Sequence, residues 1–127
     1  DKNNSNRKKN FKLFLNNFDK NKFFTNFKIE GSCNYAFPVI LNTKNIKLRN
    51  KFEKLMSKHS IEYRRGNAGG GNMLRQPFLK NYIKKNEFLN YRNTEHVHSF
   101  GYYVGNFPRL TKSRILKTCK ILNSIDL

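Results

Sequence analysis

Tryptophan is absent, alanine occurs only at Ala36 and Ala68, and cysteine only at Cys33 and Cys119. Two cysteines do not make a disulfide framework, and no Cys-x-x-Cys or Cys/His group has the spacing of a zinc site. His96 and His98 stand two apart with no further ligand close in sequence, so no metal is expected. No apolar run approaches the roughly 20 residues needed to span a bilayer, and no signal-peptide pattern is present. These absences point away from a membrane and toward a reducing, cytoplasmic compartment. Acidic residues are also scarce: eight Asp and Glu against 26 Lys and Arg leave a formal net charge of +18.

Such an excess points first to a polyanionic partner. Its make-up tempers that reading, because lysine greatly outnumbers arginine and asparagine is abundant. Lys, Asn, Phe, Ile and Tyr share A/T-rich codons, so much of the charge can be a compositional background rather than a binding surface. Both readings stay open at this level. With 37% hydrophobic residues, twelve Phe and six Tyr, the chain is too apolar for a disordered basic tail. At 127 residues it has room for one modest core.

Residues 1–10 are polar and read as a frayed lead-in or as the exposed end of a helix. Phe11, Phe14, Leu15 and Phe18 then recur at helical spacing, a packing face without an evident partner in its own segment. The run Cys33–Leu41 reads as a strand, held to an edge or a bulge by Pro38. A basic amphipathic helix follows, capped by Asn42 or Thr43 and carrying Leu48, Phe52, Leu55, Met56 and His59. Ser60–Arg65 predicts a short strand. Gly66-Asn67-Ala68-Gly69-Gly70-Gly71-Asn72 is a loop able to turn backbone N–H groups toward an anion, though it matches neither a Walker A loop nor GxGxxG. Met73–Tyr82 reads as a short helix, Lys84–Thr94 as a polar loop, Val97–Val104 as a strand ending at Gly105-Asn106, and the segment from Leu110-Thr111 as a final helix with Cys119 buried. This order predicts an α+β or α/β domain, a small sheet packed with helices.

Three clusters then fall into a familiar order: Ser32-Cys33-Asn34-Tyr35-Ala36-Phe37-Pro38, Ser60–Arg65 leading to Gly71-Asn72-Met73-Leu74-Arg75-Gln76-Pro77, and His98–Asn106 before the Leu110-Thr111 helix start. The set resembles the C-terminal small domain of the DegT/DnrJ/StrS family of PLP-dependent sugar-nucleotide aminotransferases and dehydratases, most of all the branch of 3-dehydratases and perosamine-type synthases. The resemblance implies a fold-type I PLP enzyme, a homodimer, acting on a nucleoside-diphosphate 4-keto-6-deoxy sugar in lipopolysaccharide or other surface-polysaccharide biosynthesis. It implies that residues 1–28 form a helix and linker from a large cofactor domain and residues 29–127 the small domain. It further implies substrate-binding roles for Arg65, Asn67, Asn72, Arg75 and His98, with Asn67 and Asn72 competing for one family position. The aldimine lysine, or the histidine that replaces it in the dehydratases, matches nothing here. The chain, opening at Asp1 rather than Met, is therefore expected to be part of a larger enzyme and inactive alone.

The alternative from another class is a small basic nucleic-acid-binding protein. Its stacking platform would be Tyr82, Tyr91, Tyr102 and Tyr103 among Lys and Arg, without any RNP, KH or zinc motif in support.

Overall fold

The phenylalanine stripe finds its partner within the chain. In the computed structural model, which describes residues 1–69 and 71–126, the first helix α1 spans Lys2–Asn16, capped by the Asp1 side chain accepting from the Asn3 N–H at 2.8 Å. Residues 2–10 are thus its opening turns. Phe11, Phe14 and Phe18 are buried; the Phe14 ring stacks on Phe37 at 4.4 Å and Phe18 on Phe23 at 4.0 Å. Each such fully buried ring contributes roughly 1.5–3 kcal/mol of transfer free energy.

Phe37 belongs to the strand β1 (Ala36–Ile40), which is followed by α2 (Ile46–Lys58), β2 (Tyr63–Arg65), α3 (Arg92–Phe100), β3 (Gly101–Gly105) and α4 (Lys112–Asn123). The strands form one antiparallel sheet in the order β1-β3-β2. Pro38 sits on the edge strand β1, where its missing N–H does not interrupt the interior of the sheet. Phe37, Val104 and Tyr63 are register partners across all three strands, and so are Val39, Tyr102 and Arg65 one pleat further on. On this face α4 packs against α1 and α2, burying Ile115, Cys119 and Leu122 together with Phe52 and Met56. Among the described residues, four α-helices on a three-stranded antiparallel sheet make the fold α+β.

Local chemistry moves several boundaries. Asn45, rather than Asn42 or Thr43, caps α2: its Oδ1 accepts from the Lys47 and Leu48 N–H groups, while Thr43 Oγ1 accepts from the Asn45 N–H one turn earlier. The far end of α2 closes in a Schellman motif, with Ile61 N–H donating to Met56 C=O and Ser60 N–H to Ser57 C=O. Ser60 holds the left-handed position of that motif at φ +54°. The segment expected as a helix over Met73–Tyr82 is instead two 3₁₀ turns, Met73–Arg75 and Pro77–Leu79, because Gln76 precedes proline and is extended. The expected strand Val97–Val104 is half helix: α3 runs through Phe100, and the strand starts at Gly101.

α1 is fastened to the sheet by a buried amide. Asn106 Nδ2 donates to Arg7 C=O at 2.9 Å and to Asn34 C=O at 2.7 Å, and its Oδ1 accepts from Asn10 Nδ2 at 3.2 Å. At the other end, Lys22 Nζ donates to the carbonyls of Asn123 and Ile125, at the C-terminal end of α4 where the helix dipole favours a cation. Among the described residues no helix is long and apolar enough to cross a membrane.

Candidate functional site

The glycine-rich loop closes around an imidazole. Gly66 adopts φ +58°, a left-handed conformation suited to glycine, and its carbonyl accepts from the Gly71 N–H at 2.8 Å. A Cβ on Gly71 would collide with Nδ1 of His98, so glycine is what lets the backbone lie on that ring. The next N–H, that of Asn72, donates to His98 Nδ1 at 3.1 Å. Gly70 lies outside the described residues, and with it part of the anion-cradling loop expected from sequence.

Asn72 is buried and knits the cluster together. Its Nδ2 donates to Glu95 Oε1 at 2.8 Å and to Phe88 C=O at 3.3 Å, and its Oδ1 accepts from the Leu74 N–H, starting the next turn. That turn carries Arg75 to the same carboxylate. Arg75 Nε donates to Glu95 Oε1 at 2.9 Å and Nη2 to Oε2 at 2.6 Å, while the guanidinium lies 4.0 Å over the Phe88 ring. Hydrogen bonds from Arg75 hold the Glu95 carboxyl below the usual carboxylate range, against the opposing effect of its burial, and Asn72 adds to the lowering. Burial lowers the His98 pKa, the charges of Arg75 and Arg65 lower it further, and Glu95 only partly offsets them. A neutral His98 accepting at Nδ1 carries its proton on Nε2. Among the described residues, that Nε2 and the Arg75 Nη1 make no hydrogen bond, so the cluster keeps two donors for an acceptor-rich ligand.

Of the five residues put forward from sequence, the structure brings together Asn72, Arg75 and His98. Asn67 is exposed in the 3₁₀ turn Gly66–Gly69, and no side-chain hydrogen bond ties it to the cluster. Arg65 turns to the core side of β2. Its Nε donates to Glu53 Oε1 at 2.8 Å, an oxygen shared with the Tyr102 hydroxyl at 3.0 Å, although its charge still acts on His98. Phe88 was missed because residues 84–94 read as a polar loop, and Glu95 because it falls between that loop and the strand expected from Val97. The signal available was the spacing of Glu95 and His98, three apart and on one helical face. Asn106, the other polar residue of the third cluster, is a structural fastening.

The tyrosine platform of the nucleic-acid reading does not assemble. Tyr102 and Tyr103 are consecutive on β3 and point to opposite faces; Tyr102 is 4% exposed, while Tyr103 packs edge-on to Tyr35. Of the four, Tyr82 and Tyr91 stand out into solvent.

No family model and no curated protein matches the chain. Solved structures do share its fold. E. coli GDP-4-keto-6-deoxy-D-mannose-3-dehydratase with bound hydrated PLP aligns over 95% of this chain at 22% identity, with a TM-score of 0.77. A GDP-4-keto-6-deoxymannose-3-dehydratase with a trapped PLP-glutamate geminal diamine aligns over 94% at 22% identity, with a TM-score of 0.65. The chain spans 31% of the length of each.

Proposed function

We propose that this chain is the small domain of a PLP-dependent enzyme acting on a nucleoside-diphosphate 4-keto-6-deoxy sugar, with 3-dehydration favoured over transamination. The observation that carries the reading is the Asn72–Arg75–Glu95–His98 cluster, set on a fold shared along almost the whole chain with two sugar-nucleotide 3-dehydratases. In this reading residues 1–28 lead in from a large cofactor-binding domain and residues 29–127 cover the substrate. The complete enzyme is a cytoplasmic homodimer of surface-polysaccharide biosynthesis.

No lysine among the described residues takes part in the hydrogen bonds of the His98 cluster; Lys22 donates to two carbonyls and Lys8 faces Glu30 at 3.7 Å. In this reading the cofactor and its electron-sink chemistry belong to the large domain, and the chain is inactive alone. What this chain contributes is grip. Arg75 Nη1 and His98 Nε2 donate to substrate oxygens, while Glu95 and Phe88 keep the guanidinium from swinging away. Asn67, exposed on the loop, adds a polar group on the substrate side, while Arg65, held by Glu53 on the core side of β2, acts through its charge on His98.

Two measurements test this. Titration with GDP should shift the amide resonances of Gly71, Asn72, Arg75 and His98, and Asn72→Ala should weaken the response; shifts confined to other parts of the chain would count against the site. Incubation with PLP followed by borohydride should leave the chain unmodified. A stoichiometric adduct on one lysine would overturn the view that the catalytic half lies elsewhere.

A further inference from the structure

α4 has a second face that the core does not use. Ile115, Cys119 and Leu122 are buried, while Arg114, Lys117 and Ile121 line a groove of about 730 Å³ between α4, the turn after α2 and the ends of β2 and β3. That volume is in the range of small-molecule sites, roughly 300–1,000 Å³. No member of the His98 cluster lines it.

The floor is the half-buried cross-strand pair Tyr63–Val104, flanked by Ile61, Leu110 and Ile121, with the buried Phe37 ring beneath it. Together these side chains make an elongated apolar trough. Its rim is cationic. Arg114 and Lys117 of α4 line the groove, neither of them in an ion pair among the described residues, against the single carboxylate of Glu62. An apolar trough edged by unspent cations is complementary to a ligand with an extended apolar body and one negative end.

We propose that this groove binds an alkyl carboxylate, its chain along Tyr63, Val104 and Ile121 and its carboxylate at Arg114 and Lys117. The guanidinium and ammonium then gain the anion that the fold does not give them, and the chain covers apolar surface now open to water. The inference stands independently of the reading of the His98 cluster.

The test uses two ligands with the same chain and opposite charge, octanoate and octylammonium, followed through the methyl resonances of the 127-residue protein. Octanoate is expected to shift Val104, Ile115 and Ile121 saturably and octylammonium to leave them in place. R114E/K117E should weaken octanoate binding at least tenfold, with R114Q/K117Q as the milder substitution if the reversal impairs folding. Ile121→Trp, which fills the trough, should abolish binding while a thermal melt reports an intact fold. Equal responses to the two ligands, undiminished binding by the charge variants, or shifts concentrated on residues 73–91 would overturn the proposal. So would sedimentation with anionic phospholipid vesicles in the absence of octanoate shifts, which would indicate a membrane surface as the partner.

Discussion

The Asn72 N–H donates to Nδ1 of His98 across 26 residues of chain, at 3.1 Å. That bond holds one tautomer and one orientation of the ring, and it exists because Gly66 and Gly71 bring the backbone close enough to make it. The glycine run therefore serves packing on an imidazole before it serves any ligand.

Replacing Gly71 with alanine should be costly. Its Cβ meets His98 Nδ1 and the Gly66 backbone, and strain of this kind typically costs about 1–3 kcal/mol. Gly31→Ala is the matched control, since nothing lies within 4 Å of a Cβ there and only the left-handed φ of +76° is strained, at roughly 1–2 kcal/mol. Urea melts of both variants give the two costs, and only Gly71→Ala should also displace the His98 ring resonances.

His98 makes stability depend on pH. Its folded pKa lies below the ordinary imidazole value of about 6.5, so on acidification the unfolded chain takes up the proton first. Its contribution is complete above about 6.5 and falls as the pH drops from there toward the folded value. His98→Gln, which retains an acceptor, should flatten the stability profile in that window. An NMR titration should place the His98 midpoint below the ordinary imidazole range.

Arg75 and Glu95 form a forked pair whose guanidinium side is about one-third exposed, which limits its value to about 0.5–1 kcal/mol of coupling in a double-mutant cycle. Glu95→Ala should cost more than Arg75→Ala, because it also strips the acceptor from the buried Asn72 amide. Since the folded pKa of Glu95 is depressed, its contribution is present above the unfolded carboxylate value and is lost as the pH falls through the folded one.

Ser60→Gly should stabilise the protein. Ser60 is exposed and sits at φ +54° in the Schellman motif that ends α2, a conformation glycine adopts without steric cost. A gain of about 0.5–1 kcal/mol, read as an upward shift in melting temperature, is expected.

Helical periodicity made the phenylalanine face of α1 and the apolar faces of α2 and α4 legible, and the start of α4 near Leu110-Thr111 was readable too. α3 was not. Its buried anchor Phe100 is also the first member of the Phe100, Tyr102, Val104 alternation, so the strand pattern hides the helix that precedes it. For the site, the resemblance put forward Asn72, Arg75 and His98, which the fold brings together. It did not show that Glu95 gathers them, because a pairing across 20 or more residues depends on tertiary contact rather than period. The fate of Arg65 was hidden for the same reason: which face of a three-residue strand it takes is decided by register with Tyr102.

The buried amide of Asn106 sets a condition on how copies of this chain can associate. Two copies could exchange their first helices only if the incoming helix offered the same carbonyl at Arg7 and the same amide at Asn10 to the host's Asn106, while filling the socket left by Phe11 and Phe14. A helix that arrived in any other register would strand a polar side chain that is only 1% exposed. Helix exchange is thus restricted to a faithful copy of the intramolecular arrangement, and partially unfolded chains have little to gain from swapping.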